Sequence, residues 1–255
     1  MKKNSDFIIP NWPAPINIHA LQTSRYGAFG EGAKNGFSLA PYNNLNLGSH
    51  VGDSPMHVMQ NRQFLRQFLP SEPVWLNQVH GINVVDAAQT DCLPEADASF
   101  TNCKNVVCVT MTADCLPILV CDTAGTIVAS IHAGWRSLCN GVVEAAISTM
   151  RAKLPVNSAN LMAWLGPAIG PNAFEVGAEV REQFLAEDAS AQLAFKPHKN
   201  KFLCDIYTLA KQRLNHLGIT QIYGGGECTY RHSENFFSYR RDIVTGRTAT
   251  LVWLA

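Results

Sequence analysis

The chain has 255 residues, of which 47% are apolar and 16% charged, and its 20 basic residues balance 20 acidic ones. Such a chain can bury a sizeable core as a single domain over 1–255, and it does not read as disordered. Balanced charge argues against non-specific attraction to nucleic acid or an anionic membrane, and leaves room for a small substrate drawn to a local basic spot.

The N-terminal stretch MKKNSDFIIPNWPAPINIHA opens on two lysines, but Asp6, Asn11 and three prolines interrupt the residues after them. It therefore lacks the apolar region of a signal peptide. No stretch approaches the roughly 18 apolar residues that span a bilayer. A cytoplasmic protein is expected, and no obligate protein partner is evident. The first 24 residues should cross the surface before or within an edge strand. Residues 25–55 are rich in Gly, Asn and Ser and read as a long loop, a feature that usually carries function.

Asp53-Ser54-Pro55 is a good helix start for the apolar period that runs over 56–69. Short strands are expected over 73–79 and 82–87, then over the β-branched runs 105–111, 116–122 and 126–132. A helix should run from Gly141 to about Leu154 and a strand over 160–164. The loop GPAIGP comes next, then helices over 176–187 and 205–217. Candidate strands near 219–223, 235–239 and 247–254 close the chain. Clustered strands with irregularly placed helices predict an α+β fold of mixed β-sheets flanked by helices.

Eight cysteines stand at 92, 103, 108, 115, 121, 139, 204 and 228, with no CxxC pair. Without an export signal they predict neither disulfides nor a zinc ribbon. Most should be small buried hydrophobes, Cys108 and Cys121 above all. Gly224-Gly225-Gly226 does not fit the pattern of a nucleotide-binding loop.

The chemistry concentrates in LNQVHG (76–81), TADCLPI (112–118) and SIHAGWRS (130–137). Each sets a metal-competent side chain at the end of an apolar run: His80, Cys115 and His132. Two imidazoles and one thiolate make a plausible zinc set that leaves the fourth position open. Spacings of 35 and 17 residues define no zinc signature by themselves. Asp114 could orient a ligand or act as acid or base.

The motifs NLGSHVGD, NQVHG, PEADA, TADCLPILV, HAGWRS, GPAIGP, FFSYRRD and TGR occur in that order from about Arg25 to the C-terminus. Together they closely resemble the laccase-domain family, also called the YfiH-like or multicopper polyphenol oxidoreductase family. The resemblance implies that His80, Cys115 and His132 hold a zinc ion. It implies phosphorolysis of purine nucleosides (inosine, adenosine and methylthioadenosine) with adenosine deamination on the same site, so nucleoside and phosphate are the expected partners. It also implies a YfiH-like fold of mixed sheets flanked by helices. The laccase name does not survive counting: a blue-copper site plus a trinuclear cluster needs about ten histidines, and this chain has eight. Copper at the triad would give at most adventitious oxidation.

Other residues have a functional and a plain reading. Arg25, in TSRYGAF, could clamp phosphate or be a surface arginine. Asn46 and His50 could contact phosphate or ribose, or shape a turn. Gln78, two residues before His80, would share its strand face and bind substrate or orient a ligand. Arg136 could add positive charge. Arg240 and Arg241 could reach the site or pair with Asp242, and Trp135 could be a pocket wall or core. Two departures from the family pattern, Gly27-Ala28 and Asn172-Ala173, bear on substrate preference and leave the triad intact. Two rival readings stand beside nucleoside chemistry. One is a Cys-His amide hydrolase acting on a cell-wall precursor, with Cys115 as nucleophile. The other is a zinc-stabilised binding protein with a fourth protein ligand.

Overall fold

The computed structural model describes residues 7–26, 36–90, 93–154 and 160–255. Gly27-Ala28 and Cys92 lie outside the described residues. The chain forms β1 (Ile18–Gln22), α1 (Pro55–Arg66), β2 (Pro73–Val74), β3 (Val84–Asp86), β4 (Ala98–Thr101), β5 (Val107–Thr112), β6 (Leu116–Asp122) and β7 (Val128–Ala133). Then come α2 (Trp135–Asn140), α3 (Val142–Lys153), β8 (Leu161–Leu165), β9 (Glu175–Val176) and α4 (Ala178–Glu187). A 3-10 turn over Ala189–Ala194 leads to β10 (Phe195–His198), β11 (Lys201–Cys204), α5 (Ile206–His216), β12 (Gln221–Gly224), α6 (Tyr239–Asp242) and β13 (Thr248–Leu254).

These strands build a four-stranded sheet in the order β1-β13-β5-β2 and a six-stranded sheet in the order β12-β8-β6-β7-β4-β3. A small third sheet has the order β10-β11-β9. The two larger sheets are mixed: β2-β5, β3-β4 and β8-β12 pair in parallel and the rest antiparallel. The expected α+β architecture with an edge strand near the N-terminus is what forms.

The larger sheets face each other, and period-two alternation decides what each strand sends into the gap. On β7, Ala129, Ile131 and Ala133 join the helix-side core. Val128 packs between the sheets with Cys108, Leu119, Met162 and Val252. Ser130, on the same side, exchanges a hydrogen bond with Thr110 (2.9 Å) and donates to the Thr250 carbonyl (3.2 Å). His132 is the next residue on that face, where the strand runs out at the mouth of the sandwich. The outer face of the six-stranded sheet carries α2, α3, α4 and α5, whose apolar stripes include Leu138, Ile147, Phe184 and Leu209. The outer face of the four-stranded sheet packs Leu65 of α1 against Leu45, Leu47, Phe68 and Trp75.

The described part of the long loop, residues 36–54, is held by polar side chains of α1. Asn61 of α1 donates to Ser38 Oγ and the Asn46 carbonyl (2.8 Å each) and accepts from Phe37 N–H (2.8 Å). Arg62 donates twice to the Leu47 carbonyl.

Several expectations need correction. The strand expected over 73–79 stops at Val74, because Asn77 bridges to Glu95 and the chain then turns. No strand forms over 235–239; Ser238 instead caps α6 by accepting from Arg241 N–H (3.2 Å). The helix expected from Gly141 is preceded by α2, which ends where Gly141 takes a left-handed φ of 97°. A glycine tolerates that conformation at little cost, so it divides the two helices. The hairpin β10–β11 was not expected: its strands are short and half exposed, and they carry little periodic signal.

Candidate active site

One end of the sandwich gathers the ends of β5 and β7 and the starts of β6 and β13. Register places Thr112 opposite Thr248, and Leu116 opposite Ala133. A cavity of about 490 Å³ opens there, in the size range of small-molecule sites. His80, Cys115 and His132 lie on its wall with Asp114, Gln78, His50, Trp135 and Arg136. Arg240, Arg247, Thr112 and Tyr239 add to its polar lining.

Among the described residues, His80, Cys115 and His132 are the only His/Cys/Asp/Glu group whose ligand atoms converge, all within 4.8 Å of one another. Cys115 Sγ lies 3.6 Å from His80 Nε2, and the two imidazoles meet edge to face with centroids 4.8 Å apart. Gly134, directly after β7, is needed for this approach. A Cβ there would stand 2.6 Å from His80 Cδ2 and 3.2 Å from Cys115 Sγ.

The triad hangs on Asp97, which is fully buried at the entrance to β4. Its Oδ1 accepts from His132 Nδ1 (2.7 Å) and His80 N–H (3.0 Å). Its Oδ2 accepts from Gly81 N–H (2.6 Å) and Val79 N–H (3.3 Å). His80 adopts a φ of 60°, uncommon for a residue with a side chain. Burial alone would raise the Asp97 carboxyl, but the bond and charge of His132 and the backbone N–H groups hold it below the usual carboxylate range.

With Nδ1 engaged, His132 directs Nε2 into the cavity. Burial disfavours charge on His132, yet the Cys115 thiolate and Asp97 push its pKa up to about 9. Burial likewise disfavours the Cys115 thiolate, and the charge and hydrogen bonds of His132 and His80 outweigh it, drawing the thiol down to about 6. Cys108 and Cys121 behave in the opposite way: burial pushes both up to about 12, as inert core thiols should be.

The donor set fits zinc. It offers two imidazoles and a thiol already drawn toward the thiolate form. Asp97 holds one ligand's ring as carboxylates commonly do at zinc sites. Among the described residues no fourth side chain joins the group.

Residues 29–255 match the family model described as multi-copper polyphenol oxidoreductase laccase. The chain belongs to this family. The laccase-domain chain is 52% identical over 253 residues to the Escherichia coli (strain K12) protein named purine nucleoside phosphorylase YfiH, with 98% of this chain and 99% of the relative covered. It is 49% identical over 251 residues to the Haemophilus influenzae protein named purine nucleoside phosphorylase, covering 96% and 98%. A Neisseria meningitidis protein of known structure shares 45% identity at a TM-score of 0.89, covering 98% of this chain and 99% of its own. The fold is therefore that of the YfiH group. Despite the laccase name, the described residues contain a single convergent cluster, of three side chains that could hold a metal, and His19, for one, stacks on Trp253 instead.

Within the laccase-domain site, some sequence expectations need amendment. Arg25 is not on the cavity wall: its guanidinium donates to the Asn43 (3.0 Å) and Ser233 (3.3 Å) carbonyls, stapling two loops. Asn46 is also absent from the wall. It accepts from Gly48 N–H and Arg247 N–H (2.9 Å each) and donates to Asp53 (2.9 Å), which is the turn-shaping role. Gln78 does line the cavity, but from irregular backbone after Asn77 rather than from a strand, and its amide clamps Met111 by donating to the carbonyl (2.9 Å) and accepting from N–H (2.8 Å). Both oxygens of Asp114 are engaged: by Thr229 Oγ1 (2.6 Å), Ser238 Oγ (3.0 Å) and Arg240 N–H (2.7 Å). Arg241 pairs with Asp242 and holds three backbone carbonyls, the structural reading.

His50 reaches the wall; burial and the charges of Arg247, Arg62 and His132 disfavour its protonation. Arg136 lies over Trp135, a wall residue, at 4.3 Å. Arg240 spans Phe174 and donates to the Glu175 carbonyl (2.9 Å).

Sequence reasoning missed Arg247, Tyr239, Met111, Ile169 and Phe174, all on the wall. Arg247 and Tyr239 sit inside the motifs TGR and FFSYRRD, which were the available signal. Nothing local marks the three apolar residues as lining rather than core.

Proposed function

We propose that residues 1–255 act as one cytoplasmic catalytic domain, a zinc-dependent purine nucleoside phosphorylase. The observation that carries this reading is the meeting, around one cavity, of a His-Cys-His donor set, three arginines and an apolar wall. Arg136 stacks on Trp135, while Arg240 and Arg247 donate to backbone carbonyls. Among the described residues none of the three pairs with a carboxylate, so their charge is available to an anion. The names of the relatives point to the same substrates. No described helix is long and apolar enough to cross a membrane.

In phosphorolysis, a phosphate oxygen forms a bond to ribose C1′ as the bond from C1′ to purine N9 breaks, through an oxocarbenium-like transition state. Arg247, Arg136 and Arg240, with His50 beside them, replace Arg25 as the groups that hold phosphate against the ribose. Guanidinium forks suit that task. Phe174, Ile169 and Met111 give the purine an apolar wall. Asp114 keeps Tyr239 and Arg240 in place through Ser238 and Arg240 N–H, and Gln78 fixes the β5 end. Zinc held by His80, Cys115 and His132 would supply Lewis acidity at the base side of the cavity. Adenosine deamination and methylthioadenosine cleavage belong to the same reading, since both present a purine to the same wall.

The test is to purify the protein, measure bound zinc and incubate it with inosine or adenosine, with and without phosphate, beside Cys115→Ala. Near-stoichiometric zinc and phosphate-dependent base release, both lost in the variant, support the reading. A metal-free protein without nucleoside turnover abandons it.

A second reading is favoured by the alignment of Cys115, His132 and Asp97, which has the order of a nucleophile, its base and the base's orienting carboxylate. It makes the protein a Cys-His amide hydrolase and predicts an acyl-enzyme trapped on Cys115 without metal.

A further inference from the structure

The turn around His80 and the end of β7 are remote in sequence, yet one carboxylate serves both. We infer that Asp97 is the positioning residue of the metal site: it selects the His132 tautomer and folds the 79–81 turn that presents His80. The inference rests on the reading of His80, Cys115 and His132 as zinc ligands.

The geometry supports both halves. His132 Nδ1 donates to Oδ1 at 2.7 Å, in a pair where His132 is 3% exposed and Asp97 fully buried. That bond leaves Nε2 as the ligand atom. The N–H groups of Val79, His80 and Gly81 all converge on the same carboxylate. Three successive N–H groups form a concave donor site for an anion. Here the anion is a side chain, and the turn it holds contains the left-handed His80. Further bonds fix Asp97 itself: its N–H donates to the Asn83 carbonyl (3.0 Å), and its carbonyl accepts from His132 N–H (2.7 Å). Asp97 thus couples two ligands rather than orienting one. An amide in its place would point an NH₂ at one set of donors, so either the tautomer or the turn is lost. Asp114, beside Cys115 in sequence, cannot substitute, because Thr229, Ser238 and Arg240 occupy its oxygens.

The experiment compares zinc affinity of the full chain and Asp97→Asn by chelator competition. Far-UV circular dichroism verifies that the variant folds. The expected result is affinity weakened roughly 10–100-fold, the usual cost of losing such a partner. An unchanged affinity in a folded variant overturns the inference and leaves the zinc reading standing. Wild-type protein that binds no zinc overturns both. A second measurement does not depend on the variant: ¹⁵N imidazole shifts of zinc-loaded wild type should show His132 protonated at Nδ1 and metal-bound at Nε2. The reverse assignment overturns the inference whether or not Asp97→Asn folds.

Discussion

Gly134 approaches His80 so closely that a Cβ on it would come within 2.6 Å of the imidazole Cδ2. Its backbone is extended, with φ −62° and ψ 156°, so alanine is forbidden by the neighbours and not by the backbone. Gly134→Ala should fold, lose about 1–3 kcal/mol of stability to overpacking, and displace His80 from Cys115. Zinc affinity measured by chelator competition should fall at least about tenfold, as for other disturbed ligand supports. A variant that binds zinc as wild type does would show that the triad tolerates a looser geometry.

Arg247 and Arg25 make a paired test of the phosphate assignment. Arg247→Ala should raise the KM for phosphate in phosphorolysis by about tenfold or more, the size of a lost charged hydrogen bond. Arg25→Ala should leave that KM near wild type and instead lower stability by about 1–2 kcal/mol, because it frees the Asn43 and Ser233 carbonyls. Initial rates at varied phosphate and thermal melting separate the two effects.

Cys115 in zinc-stripped protein should react as a thiolate down to about pH 6. The sign comes from a folded value below the ordinary thiol value. The thiolate contributes at higher pH, and its contribution is lost as the pH falls through about 6. Iodoacetamide labelling and mass spectrometry should therefore show a rate that drops below that pH, with Cys115→Ala as the blank. Loading zinc should protect the residue across the range.

Asp114→Asn should act on the far wall. One amide cannot accept from Thr229, Ser238 and Arg240 N–H as the carboxylate does. We expect a loss of about 1–3 kcal/mol in stability and a raised nucleoside KM through displaced Tyr239 and Arg240. Zinc content should stay unchanged, which distinguishes this residue from Asp97.

Much of the fold was legible because it rests on apolar runs that local pattern reveals. The strand 116–122 was read to the residue, and 247–254 and 126–132 to within two. The 73–79 run misled because Trp75 packs in the core under α1 and Leu76 is buried, yet neither continues a ladder. The stretch 235–239 misled for a related reason: Phe236 and Phe237 are buried by packing, while their backbone turns toward a helix.

The site divides in the same way. His80, Cys115 and His132 were readable from the chain alone, because thiolate and imidazole chemistry is local to a side chain and ordered motifs mark the positions. So were the inert thiols, the absence of a laccase-sized histidine set, and the family. The tertiary structure decided which polar residues face the cavity. It withdrew Arg25 and Asn46 into loop hydrogen bonds, brought Arg247 to the wall from just before β13, and set Asp97 beneath His80 and His132 at once. Whether an arginine meets an anion or a carbonyl depends on the neighbours that the tertiary fold delivers, and those neighbours lie up to 208 residues away, as between Arg25 and Ser233.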